Sequence, residues 1–113
     1  MKRDIRVYIE DILESIEKIE EYMEGVSEDV FYAETKIQDC VFRRLETIGE
    51  AAKNIPQQIR KKYSDIQWKS IAGMRDVLIH GYFEVNLERV WKTVEKDLPS
   101  LKKNILKMKR DMG

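Results

Sequence analysis

The sequence predicts an all-α protein, an up-and-down bundle of four main helices with one or two short extras. Three observations carry that expectation. Apolar residues recur at three- and four-residue intervals over long stretches, which gathers them on one face of a helix. Breakers are scarce, with five glycines and two prolines in 113 residues, so elements run long. Hydrophobic residues make up 42% and charged residues 37%, a mixture that suits amphipathic helices around a modest core and argues against disorder.

The first helix is read from the stripe Ile5, Ile9, Ile12, Ile16, Ile19 and Met23, widened by Tyr8 and Leu13. It runs from about Arg3 to Glu24 and ends near Gly25. Its glutamates, among them Glu10, Glu17 and Glu20, lie mainly away from the stripe. Ser27-Glu28-Asp29 reads as a polar linker ahead of Phe31. The second helix starts at about Tyr32 and carries Ile37, Val41, Leu45, Ile48, Ala52 and Ile55. Pro56 ends or kinks it, because proline donates no hydrogen bond and clashes with the preceding turn. Small residues cluster mid-helix in Ile48-Gly49-Glu50-Ala51-Ala52. Glycine costs a helix about 1 kcal/mol against alanine, a cost that a close helix–helix approach or a tight dimer seam would offset.

Pro56 to Tyr63 can form a short helix. Ser64-Asp65-Ile66-Gln67 resembles a capping box that opens the next helix. That helix is expected to bury Trp68, Ile71, Ala72, Val77 and Leu78 and to stop at Gly81. The chain restarts at Asn86, a good cap, with Leu87, Val90, Trp91 and Val94 inward. Asp97-Leu98-Pro99 begins the last helix, striped by Leu101, Ile105 and Met108. There is no internal repeat, and the whole span 1–113 reads as one domain.

No apolar run is long enough to span a bilayer, and no signal peptide or membrane anchor is evident, so a cytoplasmic protein is expected. The single Cys40 has no disulfide partner in the chain and no metal ligands at useful spacing; it reads as a small buried hydrophobe. Net charge is zero but unevenly spread. Residues 1–50 hold seven Lys/Arg against fourteen Asp/Glu, and residues 51–113 hold fourteen against seven. The acidic half fits either a solvated helix surface or a face for a basic partner. The basic half, including Arg60-Lys61-Lys62, can hold phosphates or be an ordinary helix exterior.

The residues around the one histidine are unusual. Met74-Arg75-Asp76-Val77-Leu78-Ile79-His80-Gly81-Tyr82-Phe83 brings a cation, an imidazole and a phenol together. Asp76 and His80 are four apart, so on a helix they share a face, and the carboxylate can fix the imidazole tautomer. Arg75 lies five positions from His80, about 140° round an ideal helix, so a long reach or a frayed turn is needed to join them. RNA cleavage without metal needs little beyond such groups. A base takes the proton of a ribose 2′-OH as it attacks the adjacent phosphate, and a fixed cation stabilises the charge that develops. A blander reading remains open at this point: Arg75 and Asp76 form a surface pair and His80 caps a helix.

The segment from Gly73 to Phe83 resembles the signature of HEPN domains, specifically the HepT-like toxin family, in which Arg, four residues, His, one residue, Tyr is the defining motif. Ile48-Gly49-Glu50-Ala51, Tyr63-Ser64-Asp65-Ile66-Gln67-Trp68, Val90-Trp91 and Asp97-Leu98-Pro99 are also similar to that family, so the resemblance spans nearly the whole chain. It implies a helical bundle that dimerises with the motif segments facing across a cleft. It implies an endoribonuclease that uses Arg75 and His80, with Asp76 as a polar helper where related motifs often have Asn. It implies no metal and no cofactor.

Such proteins are usually toxins paired with a small nucleotidyltransferase antitoxin that transfers AMP onto the motif tyrosine, here Tyr82. A bulky anionic adduct two residues from His80 would block the cleft and repel RNA. Tyr82 could equally be a partly buried ring packed with Phe83. The competing functional reading is a non-catalytic helical substrate- or nucleotide-binding partner of the nucleotidyltransferase. Trp68 and Trp91 read as core rather than base-stacking platforms, and Glu50 either faces solvent or lines the dimer cleft.

Overall fold

The apolar stripes read from the sequence, Val77 apart, turn toward one core shared by the main helices. The computed structural model describes residues 4–80 and 86–113, with side chains at 4–78 and 86–113. Among the described residues every regular element is helical. They are α1 (Ile5–Met23), α2 (Glu28–Ala33), α3 (Thr35–Lys53), α4 (Gln57–Lys62), α5 (Trp68–His80), α6 (Leu87–Lys92) and α7 (Leu98–Asp111). Helix α3 lies between α1 and α5, and α1 packs in turn on α7. The core is Ile9, Ile12, Ile16 and Ile19 of α1, Val41, Leu45, Ile48 and Ala52 of α3, and Leu98, Leu101, Ile105 and Met108 of α7.

Helix α1 opens at Asp4, whose carboxylate accepts the Arg6 backbone N–H at 2.9 Å, and it closes ahead of Gly25, which takes the left-handed φ of +72°. The expected start at about Arg3 lies outside the described residues. The second helix departs from expectation. Ser27 is not in a linker but caps α2, accepting the Val30 N–H at 3.2 Å, and Glu34 is extended, which splits α2 from α3. Two forces hold the break: Phe31 is fully buried, and the Gln38 amide donates to the carbonyls of Phe31 and Tyr32 at 2.9 and 3.1 Å. Cys40 is half-buried, not buried.

Helix α3 stops at Lys53, ahead of Pro56 as expected. Arg60 then folds back over its end. Its Nε donates to the Ile55 carbonyl at 2.9 Å and its Nη2 to the Ala52 carbonyl at 2.7 Å, so this member of the basic cluster satisfies backbone acceptors.

Ser64 does not cap α5. Residues 63–66 form a turn closed by Ile66 N–H to the Tyr63 carbonyl at 3.1 Å, and the first helical bond runs from Ile71 to the Gln67 carbonyl at 3.0 Å. Burial of Ile66 and Trp68, with the indole Nε1 donating to the Tyr63 carbonyl at 3.1 Å, decides the later start. Along α5 only Trp68 and Leu78 are fully buried among the described side chains, and Val77 is 61% exposed, against the expectation that it faces inward. Asn86 caps α6 as expected, accepting the Arg89 N–H at 3.1 Å. No gap separates α6 from α7: a π-helical turn, Thr93–Asp97, joins them. Pro99 would otherwise press on the carbonyl four residues back, and the wider turn accommodates it without ending the helix. The expected stop at Gly81 lies outside the described residues.

Candidate functional site

Helix α5 reaches α3 where α3 has no side chain. A Cβ at Gly49 would sit 2.7 Å from the Arg75 Cβ and 3.0 Å from the Ile71 carbonyl oxygen, so only glycine permits this crossing without displacing backbone. The small-residue cluster in α3 is therefore a close helix–helix approach. Its neighbour Glu50 is carried against Arg75 by the same contact, and the carboxylate Oε2 meets the guanidinium Nε at 2.5 Å. The Arg75 side chain is 29% exposed and that of Glu50 is 53% exposed. Asp76, the next residue on the helix, accepts a long hydrogen bond from Arg75 Nη1 at 3.4 Å.

Arg75 borders an open groove of about 410 Å³. Tyr8 and Asp11 of α1 and Arg43, Glu46 and Glu50 of α3 line it as well. Two guanidinium groups and three carboxylates make its lining mixed in charge. Such a wall accepts an anion at its arginines rather than over its whole surface. A guanidinium paired at Nε leaves its terminal nitrogens for other partners, here Asp76 at Nη1, and a planar fork of that kind matches the oxygens of a phosphate.

The sequence-predicted residues are placed unequally. Arg75 and Asp76 are adjacent on α5 and both reach the surface beside Glu50. His80 is the last residue of α5, but its side chain lies outside the described residues, and so do Tyr82 and Phe83. The expected contact of Asp76 with His80 therefore falls outside them too. The helix is unbroken from Trp68 to His80, so no frayed turn ahead of His80 shortens the arc of about 140° from Arg75 to His80. Glu50 faces the site rather than plain solvent. Its role had one sequence signal, the glycine beside it, which marks where another helix comes close. Trp68 is core, and Trp91 packs its ring 5.9 Å from that of Phe31. Among the described residues, no cluster of three metal-ligating side chains occurs, and no helix is long and apolar enough to cross a membrane.

The family model described as "Ribonuclease HepT-like" matches residues 12–108. A Methanocaldococcus jannaschii protein named "Gamma-glutamylcyclotransferase and putative RNase" is 49% identical over 112 residues, 99% of this chain and 50% of that protein. The chain thus spans half the length of that relative. A "Probable ribonuclease HepT" of Thermococcus cleftensis is 46% identical over 97% of this chain and 100% of its own length. A Caldanaerobacter subterraneus protein named "Putative RNase" is 44% identical over 88% of this chain and 89% of its own. No solved structure gives a significant match. With Arg75 set at an open groove and this agreement along nearly its full length, the chain belongs to the HepT-like ribonuclease family of HEPN-type helical domains.

Proposed function

We propose that this protein is a metal-independent endoribonuclease, the toxin of a toxin–antitoxin pair, in which Arg75 and His80 act on RNA at a dimer cleft. The observation that supports the reading best is the setting of Arg75. Its guanidinium is paired at Nε with Glu50 on the rim of a groove, and its terminal nitrogens, one of them shared at 3.4 Å with Asp76, can take a phosphate. His80 takes the proton of the ribose 2′-OH. The 2′-oxygen attacks the adjacent phosphorus, the bond from phosphorus to the 5′-oxygen breaks, and that oxygen gains a proton from water. The products are a 2′,3′-cyclic phosphate and a 5′-hydroxyl end. Arg75 neutralises the charge that builds on the phosphoryl oxygens. His80 supplies the proton transfer and Arg75 the charge stabilisation, the two roles a metal would otherwise fill in this step.

Pairing of two protomers supplies what one helix withholds. On an ideal helix five positions are about 140° apart, and a second copy facing the first brings an arginine from one and a histidine from the other to a shared phosphate. Asp76 orients the His80 imidazole rather than touching RNA, since a carboxylate repels the backbone it would contact. Silencing follows from AMP transfer by a nucleotidyltransferase partner. The Tyr82 phenol attacks the α-phosphorus of ATP, pyrophosphate leaves, and the bound anion closes the cleft.

The test is cleavage of RNA in the presence of a chelator by wild type, His80→Ala and Arg75→Ala. Wild type is expected to cleave, and each variant to lose about 10²- to 10⁴-fold in rate. Equal rates in all three would remove the site. Intact mass after incubation with ATP, Mg²⁺ and the nucleotidyltransferase is expected to rise by AMP units in wild type and not in Tyr82→Phe. An unchanged mass in wild type, or the same gain in the variant, would remove the Tyr82 assignment.

A further inference from the structure

The geometry points to Glu50 as a positioning residue for Arg75: its carboxylate holds the guanidinium by Nε and thereby aims the Nη edge at the phosphate being cleaved. The inference rests on the ribonuclease reading above and names a residue which that reading does not require. Three features carry it. Glu50 Oε2 meets Arg75 Nε at 2.5 Å, the closest ion pair among the described residues. The two residues sit on different helices, α3 and α5, at the one point where Gly49 lets the backbones touch. The ion pair is at Nε, the base of the fork, while Asp76 accepts from Nη1 at 3.4 Å, so Glu50 bears on the plane of the guanidinium from the side away from its terminal nitrogens.

Arginine carries several rotatable bonds, and an unheld guanidinium sweeps a wide arc. Losing its aim costs rate, because a displacement of about 1 Å at a reacting group can cost about 10²-fold. The same pair does little for folding, since both side chains are partly exposed and surface ion pairs are screened. Glu50 thus separates rate from stability in a way that a merely structural ion pair does not. Asp76 cannot substitute for it, because its oxygen stands 3.4 Å from Nη1, on the edge that the phosphate needs.

Three variants test this: Glu50→Ala, Glu50→Gln and Arg75→Ala, each checked by thermal melting. Glu50→Ala is expected to melt close to wild type and to lose about 10- to 100-fold in kcat with little change in KM. Glu50→Gln keeps an oxygen beside Nε and is expected to recover most of the loss, with the pH–rate profile unchanged. The double variant Glu50→Ala/Arg75→Ala is expected to be no slower than Arg75→Ala, because the two act as one unit.

If Arg75→Ala is inactive while Glu50→Ala turns over like wild type, this inference falls and the ribonuclease site stands. If Arg75→Ala is fully active, the site reading itself falls. If Glu50→Gln is as slow as Glu50→Ala and a limb of the pH profile disappears, Glu50 exchanges protons and is not a positioning group. A readout independent of turnover is the Arg75 Nε–H resonance, expected to exchange slowly in wild type and Glu50→Gln and to be averaged with solvent in Glu50→Ala. Fast exchange in wild type would overturn the grip directly.

Discussion

Gly49 decides by its missing side chain where Arg75 stands. A methyl group there would collide with the Arg75 Cβ at 2.7 Å and press the Ile71 carbonyl at 3.0 Å. Helix propensity alone favours alanine by about 1 kcal/mol. The collision is with backbone and Cβ atoms that cannot rotate away, so packing wins over propensity. Gly49→Ala is expected to destabilise the fold by about 1 to 3 kcal/mol, as overpacked sites do, and to lower RNA cleavage by moving Arg75. Thermal melting and cleavage rates check both; a raised melting temperature would contradict the close crossing. In the sequence, the small-residue cluster announces a close approach but not its partner, because Gly49 and Arg75 are far apart in the chain. The sequence reads Asp76 as a polar helper and leaves Glu50 as an open alternative. Which carboxylate grips Arg75 depends on how two helices cross.

At the level of the helices, termini are where local chemistry and tertiary packing compete. Asp4 and Asn86 cap α1 and α6 through contacts within three residues, and short-range pattern suffices to read Asn86. Ser64 fails as a cap because burying Ile66 and Trp68 outweighs one side-chain hydrogen bond. The end of α3 shows the third case, an arginine on the following helix that serves the orphan carbonyls of Ala52 and Ile55. Arg60→Ala is expected to cost about 1.5 to 3 kcal/mol, the range for hydrogen bonds made by charged groups. Exposed Lys61 is the control, and Lys61→Ala is expected to stay within about 0.5 kcal/mol of wild type. Equal losses for the two in chemical denaturation would show that Arg60 acts only as surface charge. Along α5, among the described side chains, only Trp68 and Leu78 are buried and Val77 is open, so this helix offers an exposed face beside the site as well as its core contacts.

Over the whole molecule, the acidic first half and basic second half meet each other. Lys102 of α7 bonds Glu20 of α1 at 2.9 Å, and Lys109 bonds Glu10 at 2.7 Å. Both pairs are partly exposed, so each adds about 0 to 1 kcal/mol and aligns α7 on α1 more than it holds it there. Their protons have consequences at high pH. The hydrogen bond to Glu20 raises the Lys102 pKa above 10.5, and the hydrogen bond to Glu28 pushes Tyr32 up to about 12. Raised folded-state values mean the protonated forms favour the fold. That stability is whole below pH 10.0, the ordinary tyrosine value, and is lost as pH rises through the folded values, about 12 for Tyr32. Denaturation midpoints are expected to hold flat up to that point and then to fall, and to fall less steeply in Tyr32→Phe. A midpoint rising with pH in that window would reverse the sign and refute the assignment.

By itself the sequence determined the all-α class, the stripes of α1, α3 and α7 and the stop ahead of Pro56, because those follow from spacing and short-range chemistry. Only the tertiary structure decided the break at Glu34, the π turn that fuses α6 to α7, the exposure of Val77 and the partnership of Glu50 with Arg75. Each of these depends on which distant backbone comes near, and that is fixed when the helices pack, not by the residues on either side.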